Sequence, residues 1–574
     1  MFKKNVVLRL GCLAFLLLFA QASWSAPNFF RPVQSYRSGG WRAVSTAVAD
    51  VNGDGKLDLL VANECISSDN CTSGNVGVLL GNGDGTFHAA QVYSSGGYLA
   101  TSIAVADVNG DGKPDVLVAH TCGDSTCSDR GVVGVLLGNG DGTFQPAQTY
   151  GAGGYRTVSV AVADVNRDGK PDVVVANEFI VCVDHSCRDN GSAGVLLGNG
   201  DGTFQTAQAY DSGSFYALSL AVGDVNRDGN PDLLVGHNDG TNHGRSTVSV
   251  LLGNGDGTFQ TAQKHDSGGY QVTSIAVQDV NGDDRPDVLV VNRGERTNDF
   301  SNGKVSVLLG NGDGTFAPRI SYRGASYASS IAVGDVNRDG KPDLLIKDAW
   351  GLGTWLGNGD GTFQFPGRSG PRRSPAPGYP NPIVWADLNG DGRPDVSLAE
   401  ACFSNDCAEG GVGVLLNAVP FTTTTALTSN LNPSIYGQAV TLTATVSSDG
   451  PSAPTGTVTF HNGTKWLGKA TLSGGVAILT TNNLPVGAFS IAARYNSDPD
   501  FVKSTSSAVV QEVSPAFTTT TIKSSLNPSV EGQPVTFTAT VTSPHCEGDR
   551  IGDVHVGSYD ARQCLALLGR EGQH

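Results

Sequence analysis

A nine-residue pattern, Asp-x-Asn-x-Asp-x-x-x-Asp, occurs seven times in this chain of 574 residues. The first copy runs Asp50-Val-Asn-Gly-Asp-Gly-Lys-Leu-Asp58, and the others begin at Asp107, Asp164, Asp224, Asp279, Asp335 and Asp387. The starts lie 57, 57, 60, 55, 56 and 52 residues apart. Six copies place Gly at the sixth position, where a sharp turn favours positive φ, and the fifth places Asp284 there.

Positions 1, 3, 5 and 9 each carry a side-chain oxygen, and position 7 can offer its carbonyl. A hard cation such as Ca²⁺ takes several oxygens of this kind. The expected ligands are Asp50, Asn52, Asp54 and Asp58; Asp107, Asn109, Asp111 and Asp115; Asp164, Asn166, Asp168 and Asp172; and Asp224, Asn226, Asp228 and Asp232. Asp279, Asn281, Asp283 and Asp287 follow in the fifth copy, then Asp335, Asn337, Asp339 and Asp343, and last Asp387, Asn389, Asp391 and Asp395. The spacing at 1, 3 and 5 resembles an EF-hand loop, but the last ligand comes at 9 and the flanks are not helical. Apolar runs such as Ser102 to Ala106 and Asp115 to Ala119 read as short buried strands, so each loop joins two strands of a hairpin. A single copy also reads as a polar turn with no ion. Seven intact copies favour calcium, because three clustered carboxylates repel unless neutralised. The loops hold 21 ligand-position Asp out of 54 acidic residues, and seven Ca²⁺ would move the formal charge from −17 to −3. No basic stripe is present to hold phosphates, which argues against nucleic acid as a partner.

After the second strand comes a variable stretch, then Val-Gly-Val-Leu-Leu or a close variant, then Gly-Asn-Gly-Asp-Gly-Thr-Phe. That heptapeptide begins at Gly81, Gly138, Gly198, Gly253, Gly310 and Gly357, and its Asn-Gly and Asp-Gly pairs are hairpin-turn signals. Asp84 reads more readily as a turn residue than as a ligand. A fourth strand follows, such as Phe87 to Tyr93. Four strands over about 57 residues make one blade of a β-propeller. The seventh unit stops at Asn417 without its turn and fourth strand, whereas Phe30 to Tyr36 matches the fourth strand of the others. The N-terminal strand is therefore expected to complete the last blade and remove an open edge. An open solenoid of similar units is the alternative.

These units resemble FG-GAP/VCBS repeats, as in the integrin α-subunit propeller and secreted bacterial propellers. The resemblance implies an all-β fold: a calcium-binding seven-bladed β-propeller over residues 26–417. Relatives with this repeat act in adhesion, sugar binding or, less often, carbohydrate chemistry. The repeat identifies a scaffold, and function belongs to a site upon it.

Residues 1–25 read as a signal peptide, with Lys3, Lys4 and Arg9 before an apolar core and cleavage expected before Ala26. No later stretch reaches the ~18 apolar residues needed to span a bilayer. The expected location is secreted or cell surface. Past Asn417 the composition turns to Thr and Ser. Residues 421–514 resemble a bacterial Ig-like β-sandwich, with alternation at Val440, Leu442, Ala444 and Val446. Residues 517–574 restart that sequence, lose it after about Ser543 and read as an incomplete second copy with an aberrant tail.

Eight cysteines form close pairs: Cys65/Cys71, Cys122/Cys127, Cys182/Cys187 and Cys402/Cys407. In an exported protein these read as local disulfides. They belong to units 1, 2, 3 and 7, in the loop between second and third strands. Those loops project from the face opposite the calcium loops, as do the glycine links that carry Trp41, Tyr98, Tyr155, Tyr216, Tyr270, Tyr327 and Tyr379. Trp41, Tyr98, Tyr155 and Tyr379 are the candidate ligand-binding residues; the competing reading is that they cap the inner strands. The function expected is a secreted calcium-binding propeller that binds a glycan or surface protein. The alternatives are a carbohydrate-active enzyme of lyase or dehydratase type and a structural surface protein. The ten His are scattered, and no HExxH or G-x-S-x-G motif designates a catalytic residue.

Overall fold

The computed structural model describes residues 29–542, apart from 69–70, 72, 128–129, 180–181, 184–185, 188–189, 239–245, 295–302, 370–381, 404–408 and 531–532. The expected signal peptide and the tail beyond 542 lie outside the described residues.

Two compact units are present. Among the described residues the first holds seven four-stranded antiparallel sheets and no helix. In sheet one the strands are Trp41–Ala49, Asp58–Cys65, Asn75–Leu79 and Gln91–Ser94, paired in chain order. Sheets two to six repeat this order and begin at Tyr98, Tyr155, Ala217, Tyr270 and Ser330. Sheet seven is built from both ends of the unit. Ile383–Ala386, Asp395–Glu400 and Gly411–Leu415 supply three strands, and Gln34–Arg37 pairs with Gly411–Leu415 from Gln34↔Val414 to Arg37↔Gly411. The N-terminal strand thus completes the last sheet, as its likeness to the other fourth strands requires.

The apolar runs after each loop form second strands whose side chains are buried on both faces, as in Asp58–Cys65 and Asp115–Cys122. Buried side chains join consecutive sheets. Leu60, Ala62, Val76 and Val78 of sheet one pack with Val116, Val118 and Leu136 of sheet two, and similar clusters bridge the later sheets. Trp41–Ala49 of sheet one also packs against the first two strands of sheet seven.

The fourth strand is shorter than the sequence implies. It spans Gln91–Ser94, while Phe87 makes only an isolated bridge with Gly81. The reason is that Phe87 turns into the seam with the preceding sheet, where Tyr36 meets it edge-on at 5.5 Å. The same clasp recurs as Tyr93–Phe144, Tyr150–Phe204 and Tyr210–Phe259, with His265 replacing the tyrosine against Phe316. Such edge-to-face pairs contribute about 0.5–1.5 kcal/mol each beyond burial.

The second unit contains a two-sheet sandwich. Thr423–Ser429, Val440–Ser448 and Val476–Thr481 form one sheet; Thr457–Asn462, Lys465–Thr471, Gly487–Tyr495 and Val509–Ser514, with the short Ser434–Ile435, form the other. Val440, Leu442, Ala444 and Val446 are all buried, so the alternation marks the inner face. The restarted sequence forms only the hairpin Thr519–Ser524 with Phe537–Thr542 among the described residues. Its Ile522, Phe537 and Val541 are 69%, 57% and 48% exposed, although the matching Leu427, Leu442 and Val446 lie in the sandwich core. Among the described residues, no second sheet covers this repeated apolar pattern.

Candidate calcium loops and the face opposite them

Each Asp-x-Asn-x-Asp loop is folded by its own side chains. In the first, Asp50 Oδ1 accepts from the amides of Gly53 (2.8 Å) and Asp54 (3.1 Å), and Oδ2 from that of Gly55 (2.8 Å). Asn52 Oδ1 accepts from Asp54 N at 3.0 Å, and Asp54 Oδ1 from Lys56 N at 3.0 Å. The bond from the sixth-position amide to the first Asp recurs in all seven loops at 2.7–2.9 Å. In the fifth loop Asp284 makes it with φ at 63°, so that loop keeps its shape despite lacking glycine.

The fourth position also needs positive φ. Gly53, Gly110, Gly282 and Gly390 supply it at 70–77°, and Arg167, Arg227 and Arg338 adopt it at 61–63°. Three arginines concealed this requirement in the sequence.

The ninth position does two jobs. Asp58 Oδ2 accepts from Val51 N inside the loop at 2.9 Å, and Oδ1 from Gly81 N at the start of the same sheet's Gly-Asn-Gly-Asp turn at 2.7 Å. The bond to the turn recurs at Gly138, Gly198, Gly253, Gly310 and Gly357. Asp58, Asp115, Asp172, Asp232, Asp287, Asp343 and Asp395 are fully buried. Burial pushes the Asp58 carboxyl up, the amides of Gly81 and Val51 hold it down, and the charges of Asp54 and Asp50 push it up again. Asp232 and Asp343 are pushed up to about 6, burial being the largest cause in both.

The chemistry of this donor set suits a calcium ion: it is all oxygen, and the charges acting on the buried carboxylate are themselves carboxylates, so a hard divalent cation would relieve their repulsion. Among the described residues, however, no three acidic side chains converge into a ready-made metal cluster. A carboxylate has about four lone-pair positions, so two amide bonds leave Asp58 able to ligate. By contrast Asp84 is occupied by its turn: Oδ1 accepts from both the amide and the hydroxyl of Thr86, and Asn82 Nδ2 donates to Thr86 Oγ1 at 2.9 Å.

At the other end of the strands lie the aromatics. Trp41 is the cross-strand partner of Cys65, and Tyr98 of Cys122. Those cysteines form the disulfides Cys65–Cys71 and Cys122–Cys127. The backbones of Cys182 and Cys187 face each other in a short ladder, though their side chains lie outside the described residues. Cys402 is disulfide-bonded; Cys407 and Tyr379 lie outside the described residues. Trp41, Tyr98 and Tyr155 are half-buried, so each both covers its inner strand and presents surface.

Two ion pairs on this face escaped the sequence reading. Arg42 Nη1 lies 2.7 Å from Glu64 Oε2, and Arg156 Nη1 lies 3.1 Å from Glu178 Oε2. Burial pushes both glutamates up, and the neighbouring arginine pulls each back down. The Arg42 guanidinium lies over the Trp41 ring at 5.2 Å, and Arg130 over Tyr155 at 5.7 Å, so one side of each ring carries a cation. Sheet two has Leu99 and Thr121 at the paired positions and leaves Tyr98 without that charge. Arg42, Leu99 and Arg156 hold φ at 54–56°, just before the bulge in each inner strand. A left-handed conformation costs such residues roughly 1–2 kcal/mol, and it recurs at the equivalent Tyr216, Gln271 and Tyr327, so it belongs to the repeat as a whole. Arginine after the aromatic and glutamate six residues after the ninth-position Asp occur together in units one and three. That co-occurrence was the available signal.

Seven repeated four-stranded sheets with an Asp/Asn loop in the first hairpin define a propeller-like class of all-β protein. The FG-GAP-like repeat family matches residues 50–118, 124–175, 178–235, 237–290, 296–346 and 348–397, more than half of the chain. The chain belongs to the FG-GAP-like repeat family, and residues 427–514 match a bacterial Ig-like domain (group 3). It is similar to integrin alpha-IIb of Mus musculus, 29% identical over 236 residues, covering 37% of this chain and 21% of that protein. Human integrin alpha-IIb is 30% identical over 158 residues, covering 24% and 14%, and Drosophila melanogaster integrin alpha-PS3 is 30% identical over 125 residues, covering 20% and 10%. The chain thus spans no more than 21% of the length of these curated relatives. Among solved structures, an Agrocybe aegerita lectin, described as recognising non-reducing terminal N-acetylglucosamine, aligns with a TM-score of 0.41 at 21% identity, covering 68% of this chain and 96% of the lectin. The Vibrio cholerae biofilm matrix protein Bap1 aligns with a TM-score of 0.36 at 14% identity, covering 68% and 91%. At these TM-scores neither likeness bears on function.

Proposed function

We propose that this is an exported, calcium-stabilised seven-bladed propeller over residues 26–417 that binds a glycan or a surface protein, followed by an Ig-like domain over 421–514. The loops take the ions. The opposite face takes the ligand, on the arc of sheets seven, one, two and three. The observation that carries the binding reading is the juxtaposition on sheets one and two of a half-buried aromatic with a disulfide-closed loop, Trp41 with Cys65 and Tyr98 with Cys122. Rigid loops lose less entropy on binding. Beside them Arg42 and Glu64 offer donors and acceptors to hydroxyl or amide groups, and the ring faces offer stacking surface. Export is supported by the disulfides and by the signal-like start of the sequence.

The test is a glycan and surface-protein array probed with and without calcium, followed by Trp41→Ala and Tyr98→Ala on any hit. Binding should fall at least tenfold in the double variant while calcium-dependent melting stays nearly intact. Binding that survives these changes but is lost on altering the Gly81 to Phe87 turn would place the ligand on the other face. Turnover of an array polysaccharide would instead support the carbohydrate-active enzyme.

A further inference from the structure

The turns of sheets two to six lean on the loops of the sheets before them. Gly142, in the turn of sheet two, donates its amide to Val51 O, the second residue of the loop in sheet one, at 3.0 Å. Gly202 donates likewise to Val108 O at 3.2 Å, and Gly361 to Val280 O at 3.3 Å. These turn glycines hold φ at 79–84°, with almost no room beside them. A Cβ on Gly142 would stand 3.1 Å from Leu80 Cδ2 and 3.6 Å from the Cβ of Asn52, itself a third-position loop residue. The same two neighbours recur as Leu137 and Asn109 at Gly202, Leu197 and Asn166 at Gly257, and Leu252 and Asn226 at Gly314.

The loops of sheets one and two are therefore held from two sides. The ninth-position Asp ties each to its own sheet's turn, as Asp58 does to Gly81 and Asp115 to Gly138. The second-position carbonyl and third-position Asn of each lie against the next sheet's turn, and the loops of sheets three, four and five keep one or the other of these contacts. We propose that the turn of the following sheet is a positioning element for these calcium loops, so that a site has its full affinity only when two consecutive sheets are docked. This inference rests on the calcium reading of the loops and adds the inter-sheet dependence.

The test counts ions bound to the full-length chain by equilibrium dialysis at buffered free calcium with elemental analysis. Gly142→Ala should weaken one site about fivefold to tenfold, the size expected for loss of one hydrogen bond. At a free calcium that fills the other sites it should remove one ion in an Asp107→Asn/Asp111→Asn background. It should remove none in an Asp50→Asn/Asp54→Asn background, where that ion is already lost. If Gly142→Ala does not fold, Leu80→Ala loosens the same contact from the other side and should give the same pattern. Equal ion loss in both backgrounds, or none in either, would overturn the inter-sheet dependence while leaving calcium binding in place. A wild-type chain that binds no calcium would overturn the loop reading itself.

Discussion

Asp284 is the one sixth-position loop residue that is not glycine, and it holds φ at 63° to keep the bond from its amide to Asp279. That conformation costs a non-glycine residue roughly 1–2 kcal/mol, partly offset by the entropy a glycine loses on folding. Asp284→Gly should therefore stabilise the protein by about 1 kcal/mol, read as a rise in melting temperature. No change, or a fall, would show that the Asp284 side chain earns its place in the loop. His120 offers a second test. It is fully buried, and Nε2 lies 2.8 Å from Ser95 Oγ in the glycine link. Asn177 does the equivalent work in sheet three by donating Nδ2 to Ala152 O at 3.1 Å. Burial lowers the His120 pKa to about 3 from an ordinary value near 6.5. Between those values the unfolded chain binds a proton that the native state does not, so stability falls as pH falls below 6.5 and levels off below about 3. The loss approaches ~1.4 kcal/mol per pH unit within that window. His120→Asn should lower stability modestly at pH 7 and flatten the decline between pH 6 and 4. Parallel stability–pH curves for the two proteins would contradict this.

At the scale of elements, much is legible in the sequence. The repeated loop fixed the hairpin, the apolar run after Asp115 fixed a strand buried on both faces, and Phe30 to Tyr36 identified itself by likeness to Phe87 to Tyr93 as a displaced fourth strand. What stayed hidden depends on contacts between sheets. Phe87 leaves its strand because Tyr36 of the preceding sheet draws it into the seam. The Arg42–Glu64 pair joins residues 22 positions apart through strand pairing, and only its co-occurrence with Arg156–Glu178 in unit three could have marked it. Positive φ at the fourth loop position was masked wherever arginine stood in for glycine. Deleting residues 26–36 tests the displaced strand. It removes the partner of Gly411–Leu415 and exposes that edge. The truncated protein should aggregate or lose cooperative unfolding, followed by size-exclusion chromatography and light scattering. A monomer of unchanged stability would show that the last sheet does not need its N-terminal strand.

Across the whole molecule, the function we propose is divided between the two ends of the same strands. The Asp/Asn loops lie at one end and the disulfide-closed loops with their aromatics at the other, while the buried second strands hold the two apart. The central claim is that calcium stabilises this arrangement. Extracellular-type sites bind at about 10⁻⁴–10⁻³ M, and a free concentration tenfold above the Kd stabilises by ~1.4 kcal/mol per site. Several filled sites would then rival a domain's entire stability of ~5–15 kcal/mol. The most direct measurement is calorimetric melting of the full-length chain in millimolar calcium and in excess chelator, with elemental analysis of the dialysed protein. The account predicts bound calcium and a large drop in the propeller's melting temperature on chelation, with the Ig-like transition little changed. Identical melting curves, together with no metal in the protein, would contradict it.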